Sequence, residues 1–158
     1  MIGRTGVQAL KALLELAREP ERWRSVSDLA VAQALPAPHL EQLLLRLRRA
    51  GVLESRRGRQ GGYRLAGRPE ALTLNQVLRA VGAWPGAGGA PVQTEPGPTE
   101  TGLAEGADRA TERVAFLLRQ RLSRAIEREL EQLTLAELLF DLRSARAGLS
   151  EDGGLMLG

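Results

Sequence analysis

Residues 39–65 read HLEQLLLRLRRAGVLESRRGRQGGYRL, and this stretch decides the expected fold. Leucines spaced three and four residues apart predict an amphipathic helix from Pro38 to about Ala50, and Gly51 is a typical helix-ending residue. Two short strands are expected at 52–56 and 63–66, on either side of a tip rich in arginine and glycine. A helix followed by a basic two-stranded ribbon is the arrangement of a winged helix-turn-helix, which places the helix in a DNA groove.

The composition is typical of a small, mostly helical protein. The chain has 158 residues, of which 43% are hydrophobic and only 3% aromatic. Its core must therefore consist mainly of leucine, alanine and valine, so we expect a mainly α fold with a small β-wing. We also expect a cytoplasmic protein, because no apolar run could span a membrane and no signal-peptide pattern begins the chain.

Charge is distributed unevenly along the sequence. Residues 1–82 contain 14 basic and 7 acidic side chains, a net charge of +7, whereas residues 83–158 contain 8 and 12, a net charge of −4. A basic first half favours a nucleic-acid-binding face, and the acidic second half indicates an element with a different partner.

Helix-capping residues place the other elements of the first half. An apolar stripe predicts a helix over residues 4–18. Ser27 is expected to cap a second helix over 28–34, and Thr73 a short helix over 74–81.

The second half is expected to hold a long helix that opens at Asp108 and a short one that Thr134 caps and that ends near Arg143. Composition divides the whole chain into four expected segments. They are a winged helix-turn-helix domain over 1–82, a flexible Gly/Pro-rich loop over 83–107, dimerisation helices over 108–147 and a disordered tail over 148–158.

One apolar stripe runs down the predicted long helix. Such a stripe usually packs in a core, but the winged-helix half is expected to close a core of its own. A second copy of the chain is then the expected partner, and two-fold symmetry suits a palindromic operator. The predicted dimerisation residues are Val114, Leu118, Leu122, Ile126, Leu130 and Leu133.

The predicted DNA contacts come from the start of the recognition helix and from the wing. A glutamate can accept a hydrogen bond from cytosine N4, a glutamine can pair with adenine, and arginines favour narrow minor grooves. Three alternatives stay open: a solvated polar helix face, a structural role for Tyr63 beneath the wing, and a His39 that is simply exposed. The candidate DNA-binding residues are Pro38, His39, Glu41, Gln42, Arg46, Arg49, Arg56, Arg57, Arg59, Gln60, Gly61 and Tyr63.

The quoted stretch, extended to GGYRLA, resembles the Rrf-two (Rrf2) family of bacterial winged-helix transcription regulators. GVQALKALLELA is similar to the family's opening helix, ALTLNQVLRAV to the helix after the wing, and LTLAELL to the segment that closes the long helix. The resemblance implies a homodimer built on the long helix. It also places Glu41 and Gln42 at recognition-helix positions and Arg57 at the position of the wing arginine that enters the minor groove.

Two departures from the family pattern bear on function. Many members have three cysteines that bind an iron–sulfur cluster between the post-wing helix and the long helix, whereas this chain has no cysteine at all. We therefore predict no cofactor and no thiol sensing. Pro36-Ala37-Pro38-His39 stands where members usually have serines followed by tyrosine, so phosphate contacts from those hydroxyls would be missing.

The leading hypothesis is a DNA-binding transcription regulator, expected to be a repressor, that acts as a homodimer on double-stranded DNA. The alternative is a winged-helix interaction module whose basic ribbon binds an acidic protein. No phosphate loop, nucleophile–base set or metal-ligand spacing supports an enzyme, and the sequence indicates no particular small-molecule effector.

Overall fold

The computed structural model describes residues 2–84 and 104–152, with side chains for 2–84 and 109–149. Within these ranges the fold is mainly helical with one two-stranded antiparallel sheet, as predicted. The elements are α1 Arg4–Arg18, α2 Val26–Gln33, α3 Ala37–Arg49, β1 Leu53–Arg56, β2 Gly62–Leu65, a 3-10 turn Pro69–Ala71, α4 Leu74–Ala80, α5 Ala104–Gln132 and α6 Leu135–Asp152. None of the helices in the described ranges could span a membrane.

The leucines of α3 form the centre of the core, as their spacing predicted. Leu40, Leu43, Leu44 and Leu47 are all fully buried, against α1, α2 and β1. Gly51 follows the helix with a φ of +77°, a left-handed conformation that favours glycine and ends the helix.

Helix α2 starts earlier than predicted. Ser25, rather than Ser27, is the N-cap, because its extended backbone lets its hydroxyl accept a hydrogen bond from the Asp28 N–H at 3.1 Å. The recognition helix α3 likewise begins at Ala37, so Pro38 is its second residue rather than its first. In both cases the predicted start was wrong by one or two residues.

The wing is held against the core by a third extended segment. Strands β1 and β2 pair in antiparallel register, with Leu53 opposite Leu65 and Arg56 opposite Gly62. On the free edge of β2, the backbone of Tyr63 exchanges two hydrogen bonds with that of Arg24, at 2.8 and 2.9 Å. The segment before α2 therefore extends the sheet.

Two threonine caps link the two halves of the chain. Thr73 caps α4 in a reciprocal pairing with Gln76, and Thr134 caps α6 in the same way with Glu137, as predicted for both threonines. The backbones of the two threonines also form a β-bridge. The start of α4 is thereby joined to the α5–α6 junction.

The second half differs from its prediction in extent and in packing. Helix α5 begins at Ala104 rather than Asp108, and α6 continues to Asp152 instead of ending near Arg143, since the single Gly148 does not stop an otherwise helix-favouring segment. Leu135 and Leu139 of α6 are buried in the main core, so α6 packs with the winged helix-turn-helix. Most of the predicted loop and the end of the predicted tail lie outside the described residues, and the segment boundaries stay predictions.

Candidate nucleic-acid interface

The side of α3 opposite its buried leucines forms an exposed polar surface, which we call the α3 surface. It comprises Glu41, Gln42, Arg48 and Arg49, with the half-buried Leu45 among them. Within the described part of the chain, none of these four polar side chains has a hydrogen-bond or ion-pair partner. They are therefore available to an external ligand, and the DNA contacts of Glu41, Gln42 and Arg49 stay predictions.

His39 and Arg46 lie on a different side of the same helix. They are seven residues apart, which is two helical turns, and therefore share a face. His39 Nε2 lies 2.6 Å from Gln8 Oε1, and Arg46 Nη1 donates to the Val81 carbonyl at 3.2 Å. These hydrogen bonds attach α3 to α1 and to the end of α4, and the DNA contacts of His39 and Arg46 stay predictions.

The wing tip requires glycine at two predicted positions. Gly58 has a φ of +108°, and the Gly61 N–H closes the turn by donating to the Gly58 carbonyl at 3.0 Å. A Cβ on Gly61 would lie 2.1 Å from the Arg56 carbonyl oxygen, which is far inside van der Waals contact. The predicted DNA contact of Gly61 remains a prediction, but the hairpin alone already explains this glycine.

The four wing arginines separate into two pairs. Arg56 donates to the Gln60 carbonyl at 2.6 Å and lies 4.8 Å from the centre of the Trp23 ring. Arg64 reaches the same ring at 4.5 Å and forms an ion pair with Glu54 at 3.3 Å. Arg56 thus has structural contacts within the wing, and its DNA contact stays a prediction.

Arg57 and Arg59 make up the second pair. Both are exposed, and neither has a partner among the residues that the structure describes. They are the wing arginines without a partner in the described part of the chain, and their DNA contacts stay predictions.

The other residues predicted to contact DNA, Tyr63, Pro38 and Gln60, also include packed and exposed side chains. Tyr63 packs against the main core, which favours the structural alternative over stacking on a base. Pro38 and Gln60 are exposed, and the Gln60 side chain has no hydrogen bond within the described residues. Only the carbonyl of Gln60 is engaged, by Arg56.

The apolar stripe of α5 is exposed over most of its length. Leu118 and Leu122 keep 55% and 54% of their surface accessible, and Val114, Ile126 and Leu133 are also exposed. Leu130 is the exception: only 6% of it is accessible, because it packs on Leu74 and Leu78 of α4. Leu130 was therefore wrongly assigned to the dimer surface.

Sequence reasoning missed two residues beneath the wing and one on the recognition helix. Trp23 and Arg24 follow Pro20 in a short segment with neither helical periodicity nor strict alternation, so its local pattern indicates no strand. Beside them Arg22 binds Glu19 at 2.9 Å; this hydrogen bond and the positive charge of Arg22 lower the pKa of Glu19. Arg48 is exposed on the α3 surface without having been a candidate.

A winged helix-turn-helix with free arginines at the wing tip and an open polar face on its third helix belongs to the class of DNA-binding proteins. Similarity to known proteins supports the same class. The chain belongs to the Rrf2 family, described as iron-dependent transcriptional regulators, whose model matches residues 2–141. It is thus a DNA-binding regulator rather than an enzyme.

Two relatives resemble this chain over nearly their whole length. It is 38% identical to a protein of Synechocystis sp. named as an HTH-type transcriptional regulator, over 90% of each chain. It is 33% identical to the regulator NsrR of Geobacillus kaustophilus, over 92% of this chain and 94% of that one. The solved structure of T. potens IscR superposes with a TM-score of 0.67 at 27% identity, covering 92% of this chain and 90% of the other.

The iron dependence in the family's description does not fit the donors of this chain. Iron–sulfur clusters are held mainly by cysteine thiolates, and the sequence contains none. Its single histidine, His39, lies against Gln8. Across residues 2–84 and the described part of the second half, no three His, Asp or Glu side chains come together as a metal site would require. We therefore derive no function through iron.

Proposed function

We propose that this protein is a homodimeric repressor that binds a palindromic operator, with α3 in the major groove and the wing tip in the adjacent minor groove. The observation that carries the proposal is the pair of free arginines, Arg57 and Arg59, on a tip whose other arginines are engaged by the protein itself. Because neither has a partner within the described residues, no interaction there has to break before they bind a phosphate.

The wing tip has the shape and charge to enter a minor groove. Gly58 and Gly61 leave the backbone without side chains beside the two free arginines. Narrow minor grooves concentrate negative potential and attract arginine. We assign to Arg57 and Arg59 most of the sequence-independent affinity, because each neutralised phosphate releases counterions.

The α3 surface supplies the groups that distinguish bases. Glu41 accepts from cytosine N4, and Gln42 can bond the N6 and N7 atoms of adenine. Arg48 and Arg49 lie at the carboxyl end of the helix, where they suit phosphates that flank the groove. This division gives the helix sequence preference and the wing affinity.

The exposed stripe of α5 supports the dimer. Its exposed side chains run from Val114 to Ile126, which at 1.5 Å per residue is about 18 Å of helix, and Leu133 is exposed beyond the buried Leu130. Contiguous exposed apolar patches on this scale mark interaction sites. A two-fold pair would present two α3 surfaces to half-sites spaced one or more helical turns apart, about 34 Å per turn.

Repression follows from occupancy: a dimer seated on an operator that overlaps a promoter blocks that DNA for polymerase. The experiment begins with selection of an operator from random duplexes by the wild-type dimer. Binding of Arg57→Ala is then measured by fluorescence anisotropy across a salt series, beside the matched control Arg143→Ala on α6. We expect weaker binding for Arg57→Ala alone, with the slope of log affinity against log salt flattened by about one unit.

Two outcomes would contradict the proposal. If no sequence is enriched from the random duplexes while an acidic protein is bound, the wing serves a protein partner. If Arg57→Ala and Arg143→Ala bind the operator alike at every salt concentration, the wing tip is not the contact. A transcription assay on a template with the operator inside a promoter then separates repression from activation.

A further inference from the structure

Trp23 lies outside the proposed DNA-contacting surfaces, yet two wing arginines converge on it. The guanidinium carbons of Arg56 and Arg64 are 4.8 and 4.5 Å from the centre of its ring. We propose that Trp23 is a positioning residue for DNA binding: its indole ring fixes the direction of the wing and so places Arg57 and Arg59. This inference rests on the proposed function.

The geometry of the extended sheet puts these groups on one face. Successive side chains of a strand alternate, and Arg56 is paired with Gly62, so Arg56, Gly62 and Arg64 share the outer face. Gly62 has no side chain there, and could have none, since a Cβ would lie 2.2 Å from the Arg24 carbonyl oxygen. The Trp23 ring is the apolar group against which the outer face of the wing packs.

The backbone beneath Trp23 is anchored independently of the wing. The neighbouring Arg24 turns to the inner side, where its guanidinium donates to Glu15 at 3.3 Å. Glu15 is only 8% exposed and also accepts a hydrogen bond from Gln33 of α2 at 3.1 Å. A two-stranded hairpin is marginal by itself, so a platform fixed to α1 and α2 can set its orientation.

An aromatic ring holds arginines without cancelling their charge. Arg64 is already neutralised by Glu54 and, at 3.6 Å, by Glu21. Arg56 has no carboxylate partner within the described residues. A cation–π contact therefore keeps the wing positive where an ion pair would not. The tip retains three uncompensated charges, on Arg56, Arg57 and Arg59.

The DNA experiment uses the full-length protein and the operator selected by the wild type. Trp23→Leu removes the ring, and Trp23→Phe restores an aromatic face. We expect Trp23→Leu to bind about tenfold more weakly, since without the two cation–π contacts the wing adopts its binding orientation for a smaller fraction of the time. Its salt slope should flatten by about two units, because Arg57 and Arg59 no longer meet phosphates. Trp23→Phe should recover most of the affinity and of the slope.

A second measurement needs no DNA. Amide hydrogen exchange at Gly61 and Tyr63, followed by NMR, reports the order of the wing, since both amides donate hydrogen bonds there. We expect faster exchange at these amides in Trp23→Leu, with the amides of buried α3 residues unchanged. The matched control is Trp84→Leu, which removes the other tryptophan, stacked under Arg79 at 4.9 Å, and should leave wing exchange as it is.

Wild-type affinity and slope in Trp23→Leu would overturn the proposal, and so would weaker binding at an unchanged salt slope, which indicates a general structural role. Unaltered wing exchange in Trp23→Leu would also overturn it. If the wild type binds no duplex, the proposed function fails, and the exchange measurement alone decides whether Trp23 orders the wing.

Discussion

The recognition helix α3 and the long helix α5 have similar apolar stripes, but the stripe of α3 is buried and most of the stripe of α5 is exposed. In α3, Leu40, Leu44 and Leu47 are completely buried within one chain, whereas Leu118 and Leu122 of α5 keep more than half of their surface exposed. The α3 stripe is covered by other elements of the same chain, including α6, whereas most of the α5 stripe is left without a cover within the described residues. The same periodicity therefore predicts a helix in both places but does not predict what covers it.

The largest effect is expected where the long helix lacks a partner within the chain. Replacing Leu122 and Ile126 together by Asp would place charges in the proposed dimer interface, which is very costly for unpaired groups. Both side chains are exposed in the single chain, so the monomer should fold. We expect a monomer by light scattering, with operator affinity lower by roughly 10²-fold or more because one half-site is lost.

The matched control for this double variant is Gln120→Asp, an exposed polar position on the same helix. It should stay dimeric and keep its operator affinity. A double Asp variant that remains dimeric, with normal circular dichroism, would show that the contrast between the two helices does not mark a dimer surface.

The next largest effect is expected in the first region, where the wing is fixed by contacts within the chain. Gly62→Ala forces a Cβ to within 2.2 Å of the Arg24 carbonyl oxygen at a φ of +136°. We expect the free energy of unfolding to fall by about 3 kcal/mol in urea denaturation. Gly67→Ala is the control, because a Cβ there meets nothing within 4 Å. Equal stability of the two variants would mean that the wing is not tied to this segment.

A smaller effect is expected on the α3 surface itself. Glu41→Ala should relax base preference by about 1–3 kcal/mol at a single operator position, since only one base contact is removed. Competition binding against operators mutated at each position measures this change. A uniform loss at all positions would instead place Glu41 against the phosphate backbone.

The sequence predicted those features that depend on local pattern. The α3 leucines, the threonine caps of α4 and α6, and the glycine-rich tip are all consequences of short-range spacing and turn geometry, and the structure confirms them. Local pattern does not predict which side chains are engaged by distant partners. Arg56 and Arg57 are adjacent and identical in type, yet Trp23, more than 30 residues earlier, engages only Arg56.

Packing between distant parts of the chain also explains the surroundings of Leu130, His39 and Arg46. Leu130 continues the periodic stripe of α5 and differs from Leu122 only because α4 lies against that end of the helix. His39 and Arg46 look like members of a polar helix face until the folded chain brings Gln8 and the Val81 carbonyl beside them. Such contacts join positions 31 and 35 residues apart, which no window of local pattern contains.

We expect no effect at all of iron, oxidants or nitric oxide on operator binding. The family is described as iron-dependent, but this chain has no thiolate to hold a cluster, and carboxylates with one histidine are poor ligands for iron–sulfur chemistry. Protein purified without oxygen should contain no stoichiometric iron or sulfide. Its operator affinity should be the same before and after treatment with a chelator, an oxidant or nitric oxide. A stoichiometric cluster by chemical analysis, or affinity that follows any of these treatments, would mean that the two regions are coupled through metal ligands that do not include cysteine.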